Sequence, residues 1–500
     1  MSVLFAYFLV LVLISVFTAR KANNETFFTG NRNSSWYLVA FGMIGASLSG
    51  VTFISIPGAV GSGGFTYIQI AIGYIAGYAI VAFVLLPLYY RQNVTSIYSY
   101  LGQRFGKITY KTGAGLFIVS KMIGASLRLY LVANVLQKFV FDDWDIPFWA
   151  TVLLSILLIW IYTFKGGIKT IVWTDTFQTF FMLLCLGACI YLISDELNLA
   201  LSDIYSSVSE AGYGTVFQTD DPMARNYWWK GIFGGMFVVL GMTGVDQDMM
   251  QKNLTCKNQG EAKKNMLTFS VVLFFVNVLF VTMGGLLYLY VDANPEIHAQ
   301  WLAVSDVPKG DPDLLFPTIA LEGGLGITIS LCFIIGLIAA CYSSADSALA
   351  ALTTSFAVDF IDIENRPAHQ RERIRKWTHV GMSLAMLGTI LIFKQFVNES
   401  VIDEILTIAG YTYGPLLGLF IFGIITKRRV KDLFCAVICL KVAVLVYFLN
   451  TYLMPQFAYK FGPELLGINA LLVVLALFIF SSKADKLSGD SGKISAPLQG

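Results

Sequence analysis

Thirteen apolar stretches run through this chain, near residues 2–19, 36–57, 65–90, 115–137, 147–164, 171–193, 228–250, 266–291, 324–355, 376–394, 402–424, 432–452 and 464–482. A helix needs about 20 such residues to cross a hydrocarbon core. Lipid offers no partner to a bare peptide group, so a chain built this way folds as a bundle of membrane-spanning helices. The connecting loops alternate in charge. One set holds Arg20, Lys21 and Arg32, then Arg91, Arg104, Lys107 and Lys111, then Lys165 and Lys169. It continues with Lys252, Lys257, Lys263 and Lys264, with Arg366 to Lys376, and with Lys427 to Lys431. The other set is acidic, as in FDDWD at 141–145 and GDPD at 310–313. Basic loops stay in the cytosol. The alternation therefore predicts a multi-pass protein of the cell membrane with its N-terminus outside and its C-terminus inside.

Composition narrows the function. With 56% hydrophobic and 13% charged residues the chain is no soluble domain, and a net charge of +2 leaves no footprint for nucleic acid. The seven cysteines and three histidines show no metal-ligand spacing and no nucleophile–base pair, which argues against an enzyme. Residues 2–19 lack a basic leader and a small-residue cleavage site, and read as a retained helix. No loop is long enough for a second domain or evidently serves an obligatory protein partner. The expected organisation is one transmembrane domain over 1–482 and a short cytosolic tail over 483–500.

Two spans are interrupted. The second reads FGMIGASLSGVTFISIPGAVGSGG, with Gly45, Gly50 and Pro57; the seventh reads GIFGGMFVVLGMTGVDQDMMQ, with Gly241 and Gly244. Glycines alone let helices pack closely in lipid. A matched pair five spans apart instead points to inverted repeats, over 36–194 and 228–424, with 1–20 and 431–482 peripheral. Such carriers bind their cargo at the bilayer midplane, where unwound backbone borders a polar cavity.

The ninth span carries IAACYSSADSALAALTTS at 338–355. At 100° per residue Ala340, Ser343, Ser344 and Ser347 share a face. Serines can satisfy themselves one turn back, but Asp346 at mid-span needs a partner or solvent. Asp175 poses the same problem nearer a membrane edge. Hydroxyls, carboxylates and freed carbonyls near Gly45 and Leu48 form a hard-oxygen set suited to a small cation. Lys121 and Lys441 read as side chains that snorkel to the rim.

Three motifs, GGIKTIVWTDTFQ, AACYSSADS and GVDQDMMQKNLTCKNQGEAKK, resemble those of the sodium/solute symporters. That family includes bacterial galactose, proline and sialic acid carriers and the animal sodium/glucose and iodide carriers. The resemblance covers nearly the whole chain. It implies an all-α membrane fold of about thirteen helices with a LeuT-type 5+5 inverted repeat and two broken helices. It implies Na⁺ as coupling ion, with two ions carried. The first sodium site would use carbonyls of Gly45, Leu48 and Ala340 and hydroxyls of Ser343 and Ser344. The second would use Asp175, Ser343, Asp346 and Ser347, with Asp346 standing where the sialic acid carriers have serine. The galactose contacts are mostly absent: Thr52 replaces a glutamine, Met242–Thr243 a tyrosine–tryptophan pair, and Leu273 a lysine. The implied solute wall is Ser49, Thr52, Tyr67, Arg128, Thr243 and Thr407. Arg128 would clamp a carboxylate, or else serve as a structural ion pair or snorkel.

The function expected is uptake of a small polar organic solute, such as a sugar, sialic acid or other organic acid, with sodium by alternating access. A sodium-gated channel or sensor, or a proton-coupled carrier, remains the alternative.

Overall fold

The computed structural model describes residues 2–18, 24–164, 167–305, 308–395 and 401–482. The tail over 483–500 and the basic residues Arg20, Lys21 and Lys165 lie outside them. The described residues are all-helical and contain no strand, only three isolated bridges. The apolar helices are α1 (Ser2–Thr18), α2 (Trp36–Ser47), α3 (Gly50–Gly63), α4 (Tyr67–Gln92), α5 (Lys107–Phe141), α6 (Phe148–Thr163) and α7 (Ile168–Glu196). They continue with α8 (Trp228–Gly244), α9 (Gln247–Asn253), α10 (Gln259–Ala293), α11 (Ile327–Phe360), α12 (Ala368–Phe393), α13 (Val401–Ile425), α14 (Asp432–Phe457) and α15 (Leu465–Ile479). Eight are long and apolar enough to cross a membrane, or up to ten spans if each bent pair counts as one. Ala6–Thr18, α6 and α15 are apolar but shorter.

Both interrupted spans are broken. Helices α2 and α3 meet at 57°, and α8 and α9 at 70°. Leu48 and Ser49 leave the helical region, with ψ of 93° and 176°, so carbonyls of the last turn of α2 lose their onward partners. The second break follows a π-helical turn over Leu240–Gly244. There Asp246 is extended and its side chain accepts the Met249 N–H at 3.1 Å, capping α9.

Close approach holds the rest. Helices α4 and α8 touch backbone to backbone: a Cβ on Gly73 or Gly235 would run into the carbonyl of Ile232 or Ile70. Small residues serve this purpose in lipid, where burial drives little. Hydrogen bonds also tie like loops together. Arg104 reaches the carbonyls of Gly423, Thr426 and Arg428, and Asp432 accepts from the N–H groups of Ile108 and Thr109, all among the basic loops. Among the acidic loops, Tyr213 bonds Asp292, and Lys230 donates to the carbonyls of Met223, Ala224 and Lys460. The two charge classes thus gather in separate sets of loops.

Two expectations about lysines are corrected here. Lys121 does not snorkel. It is buried, with Nζ 2.7 Å from Asp248 and 3.3 Å from Asp246. Lys252 is no loop residue: it sits in α9, buried, 2.7 Å from Asp175. Each lysine supplies the countercharge that a buried carboxylate needs in the interior.

Candidate functional site

The break between α2 and α3 borders a cavity of about 120 Å³. Its walls come from α4, α5, α8, α10 and α13 as well. Ser49, Thr52, Tyr67, Arg128 and Thr243, five of the six residues expected on the solute wall, line it. Thr407 does not; its hydroxyl accepts from Arg225 at 3.4 Å, while its neighbours Ile405 and Leu406 face the cavity. Tyr67 and Leu406 also line a larger space of about 500 Å³ that includes Asp221, Arg225 and Lys460 of the acidic loops. The cavity therefore adjoins a vestibule on the acidic-loop side.

Arg128 brings a cation to the cavity wall. Its side chain is half-buried, borders the cavity, and has no hydrogen bond or ion pair among the described residues. A guanidinium offers a planar fork of donors that matches a carboxylate in two parallel bonds. Around it stand the hydroxyls of Ser49 and Thr52, without partners among the described residues, the hydroxyl of Thr243 beside Tyr78, and the rings of Tyr74 and Tyr78. Sequence reasoning missed Tyr74, Tyr78, Asn277 and Tyr413 on this wall, since single polar residues in apolar spans carry no local signal. Asp246 and Lys121 also reach the cavity. Asp246 had a signal, because it stands in the glycine-rich break of the seventh span.

On the other side of α2 lies the serine face of α11. A Cβ placed on Gly45 would sit 3.1 Å from the Ser343 hydroxyl and against that of Thr179. A Cβ on Gly50 would sit 3.5 Å from that of Cys341. The break is thus level with Ala340–Ser344. Ser344 donates to the Cys341 carbonyl at 2.9 Å, which leaves its own lone pairs available.

The carboxylates are more constrained. Asp175 accepts from Ser343 at 2.7 Å on one oxygen and from Lys252 at 2.7 Å on the other. Asp248 takes Lys121 and Ser347, the latter at 3.2 Å, and Asp246 takes Tyr413 at 2.5 Å. Asp346 is fully buried beside the Tyr162 hydroxyl, and neither of its oxygens has a hydrogen bond of ordinary geometry among the described residues. So the structure joins Asp175 to Ser343, turns Ser347 towards Asp248, and leaves Asp346 beside Asp175 and Lys252. Four buried carboxylates share two buried ammonium groups.

The sequence model of the Sodium:solute symporter family matches residues 27–432. Sodium-coupled monocarboxylate transporter 2 of Homo sapiens is 27% identical over 426 residues, which is 83% of this chain and 65% of the relative. The sodium/iodide cotransporter of Homo sapiens is 26% identical over 80% of this chain and 61% of its own length. The sodium/sialic acid symporter NanT of Aliivibrio fischeri is 25% identical over 85% of this chain and 82% of its own. This chain therefore spans somewhat under two thirds of the two human relatives. Among solved structures, a Na⁺-coupled sialic acid symporter in a substrate-bound outward-open state aligns with a TM-score of 0.81 at 20% identity, over 97% of this chain and 98% of that one. Mhp1, a nucleobase-cation-symport-1 family transporter, aligns at 0.54 with 13% identity, over 90% and 93%. These two likenesses concern the fold.

Proposed function

The chain belongs to the sodium:solute symporter family, and from that premise we propose that it imports a small organic anion together with sodium. The observation that carries the anion is the Arg128 guanidinium, unpaired among the described residues, in a cavity whose other charged groups, Lys121 and Asp246, are paired with each other. The relatives' names point the same way, to monocarboxylates, iodide and sialic acid. A carboxylate held on both oxygens by Arg128 would leave its remaining polar groups to Ser49, Thr52, Tyr67 and Thr243. Thr407 would act from the vestibule. The cavity's modest size favours a solute of few heavy atoms.

The finer architecture belongs to the same reading: thirteen spans, repeats over 36–194 and 228–424, the N-terminus outside and the basic loops in the cytosol. The first sodium ion sits at the α2 break, on the carbonyls of Gly45, Leu48 and Ala340 and the hydroxyls of Ser343 and Ser344. There it ties a wall of the solute cavity to α11, so filling one site organises the other. The second takes Asp175, Ser343, Asp346 and Ser347. Two ions would also balance the cluster of Asp175, Asp246, Asp248 and Asp346, whose cations among the described residues are Lys121 and Lys252. A buried charge without a partner is costly in a membrane.

The test is uptake into proteoliposomes of short-chain monocarboxylates, larger carboxylates and neutral sugars, driven by an inward gradient of sodium or of potassium. Saturable, sodium-dependent uptake of carboxylates alone is expected. Sodium-driven uptake of neutral sugars with no carboxylate transport would remove the anion reading, and a non-saturating sodium current would make the protein a channel.

A further inference from the structure

The place proposed for the second sodium ion already holds a cation of the protein's own. Lys252 is 1% exposed at its side chain, with Nζ 2.7 Å from one oxygen of Asp175 and 4.0 Å from Asp248. The other oxygen of Asp175 takes the Ser343 hydroxyl, and Asp346 lies close by, without a hydrogen bond of ordinary geometry among the described residues. An ammonium on this spot has the charge of a sodium ion and the same oxygen neighbours. Two cations cannot share it: unit charges about 4 Å apart repel strongly at any dielectric met inside a protein.

Lys252 also belongs to a short segment set apart from α8 by the break. Helix α9 has seven residues and stands at 70° to α8. It is buried along its length, with Met249 and Met250 in the core, and its side chains make a set of polar attachments on the basic-loop side. Gln247 bonds the Thr95 carbonyl and the Ile97 N–H, and Gln251 bonds the Phe28 carbonyl and Thr354. Tyr89 and Tyr98 hold the preceding carbonyls of Gly244 and Val245. The Lys252–Asp175 pair is the charged bond between this half-helix and α7.

We infer that Lys252 is a tethered competitor of the second sodium ion for Asp175 and Ser343. Sodium arriving there displaces the ammonium and so unlatches α9 from α7 on the basic-loop side. After the ion leaves, Lys252 returns, and the empty carrier resets without a bare Asp175 in the membrane. The same ion pair thus serves as half of an ion site and as an inner latch. This rests on the second sodium site proposed above.

Equilibrium binding of radioactive sodium to the purified full-length protein separates the two ideas. Wild type should show a tighter and a weaker class of sodium. In Lys252→Met the weaker class should tighten by about tenfold or more, since the competing charge is gone; Lys252→Arg should leave it weak. The double variant Asp175→Asn/Lys252→Met removes one charge of each sign, keeps the net charge of the cluster and guards against a folding defect; it should keep the tighter class and lose the weaker. Two classes in wild type that are unchanged in Lys252→Met would overturn the competition and leave the second site standing. One class in wild type and one in Lys252→Met would remove the second site itself. One class in wild type but two in Lys252→Met would make Lys252 a permanent resident that sodium never displaces.

Discussion

The two broken spans look alike in sequence and differ in what they leave open. The break at Leu48–Ser49 contains no charge, and hydroxyls of Ser49 and Thr52 beside it face a cavity without partners among the described residues. The break at Val245–Asp246 brings in Asp246, Asp248 and Lys252, and each is closed by a partner: Lys121, Tyr413 or Asp175. A broken helix is therefore not a site by virtue of being broken. What matters is whether the groups it frees already have partners. Groups at the first break lack protein partners among the described residues, while the charges at the second are paired within the protein.

The largest effect expected from this contrast is at Lys121. Lys121→Met strips the compensating charge from Asp246 and Asp248, and removing one partner of a buried pair costs about 3–5 kcal/mol. Ser49→Ala, at the open break, should cost far less in thermal denaturation. Equal losses at the two positions would erase the distinction. Arg128→Gln comes next. It should weaken binding of a carboxylate solute by about 2–5 kcal/mol, at least roughly thirtyfold, with the sodium isotherm of the solute-free protein unchanged.

A smaller effect belongs to Ser344→Ala. Loss of one oxygen from a cation's shell is worth about 1.5–3 kcal/mol. The midpoint of sodium activation should move to higher concentration, and an unmoved midpoint would take Ser344 out of the first site. The smallest is a control for the second break. Lys376 and Glu372 stand 2.8 Å apart, almost the spacing of Lys252 and Asp175, but at 40% and 63% exposure. Glu372→Gln should change stability by no more than about 0.5 kcal/mol. A loss comparable to that of Lys121→Met would mean that burial is not what gives the inner pairs their weight.

The sequence was most informative where a signal repeats or conflicts with its surroundings. Apolar length and alternating loop charge outlined the helices, and paired glycine-rich interruptions located both breaks. Arg128 and Asp346 stood out because a charge in an apolar span needs a reason. The serine face of α11 followed from helical spacing. Partner choice was not legible. Lys121 and Lys252 find carboxylates 125 or more positions and about 77 positions away in the chain, and only folding brings such pairs together. The basic character of the segment around Lys257, Lys263 and Lys264 hid Lys252 among loop lysines. Tyr74, Tyr78 and Tyr413 had no periodic pattern to mark them as cavity walls. Thr407 lies one residue beyond Leu406, and that step turns its side chain to Arg225.

The central claim is that sodium at the open break and a carboxylate on Arg128 support each other's binding. It is tested most directly by the affinity of a short-chain carboxylate in sodium and in potassium at equal ionic strength, without a gradient. Coupling between two sites is reciprocal and usually worth roughly 5- to 150-fold. The account predicts tighter carboxylate binding in sodium by a factor in that range, an equal tightening of sodium by the carboxylate, and loss of both in Arg128→Gln. The same affinity in both cations for the wild-type protein would contradict it.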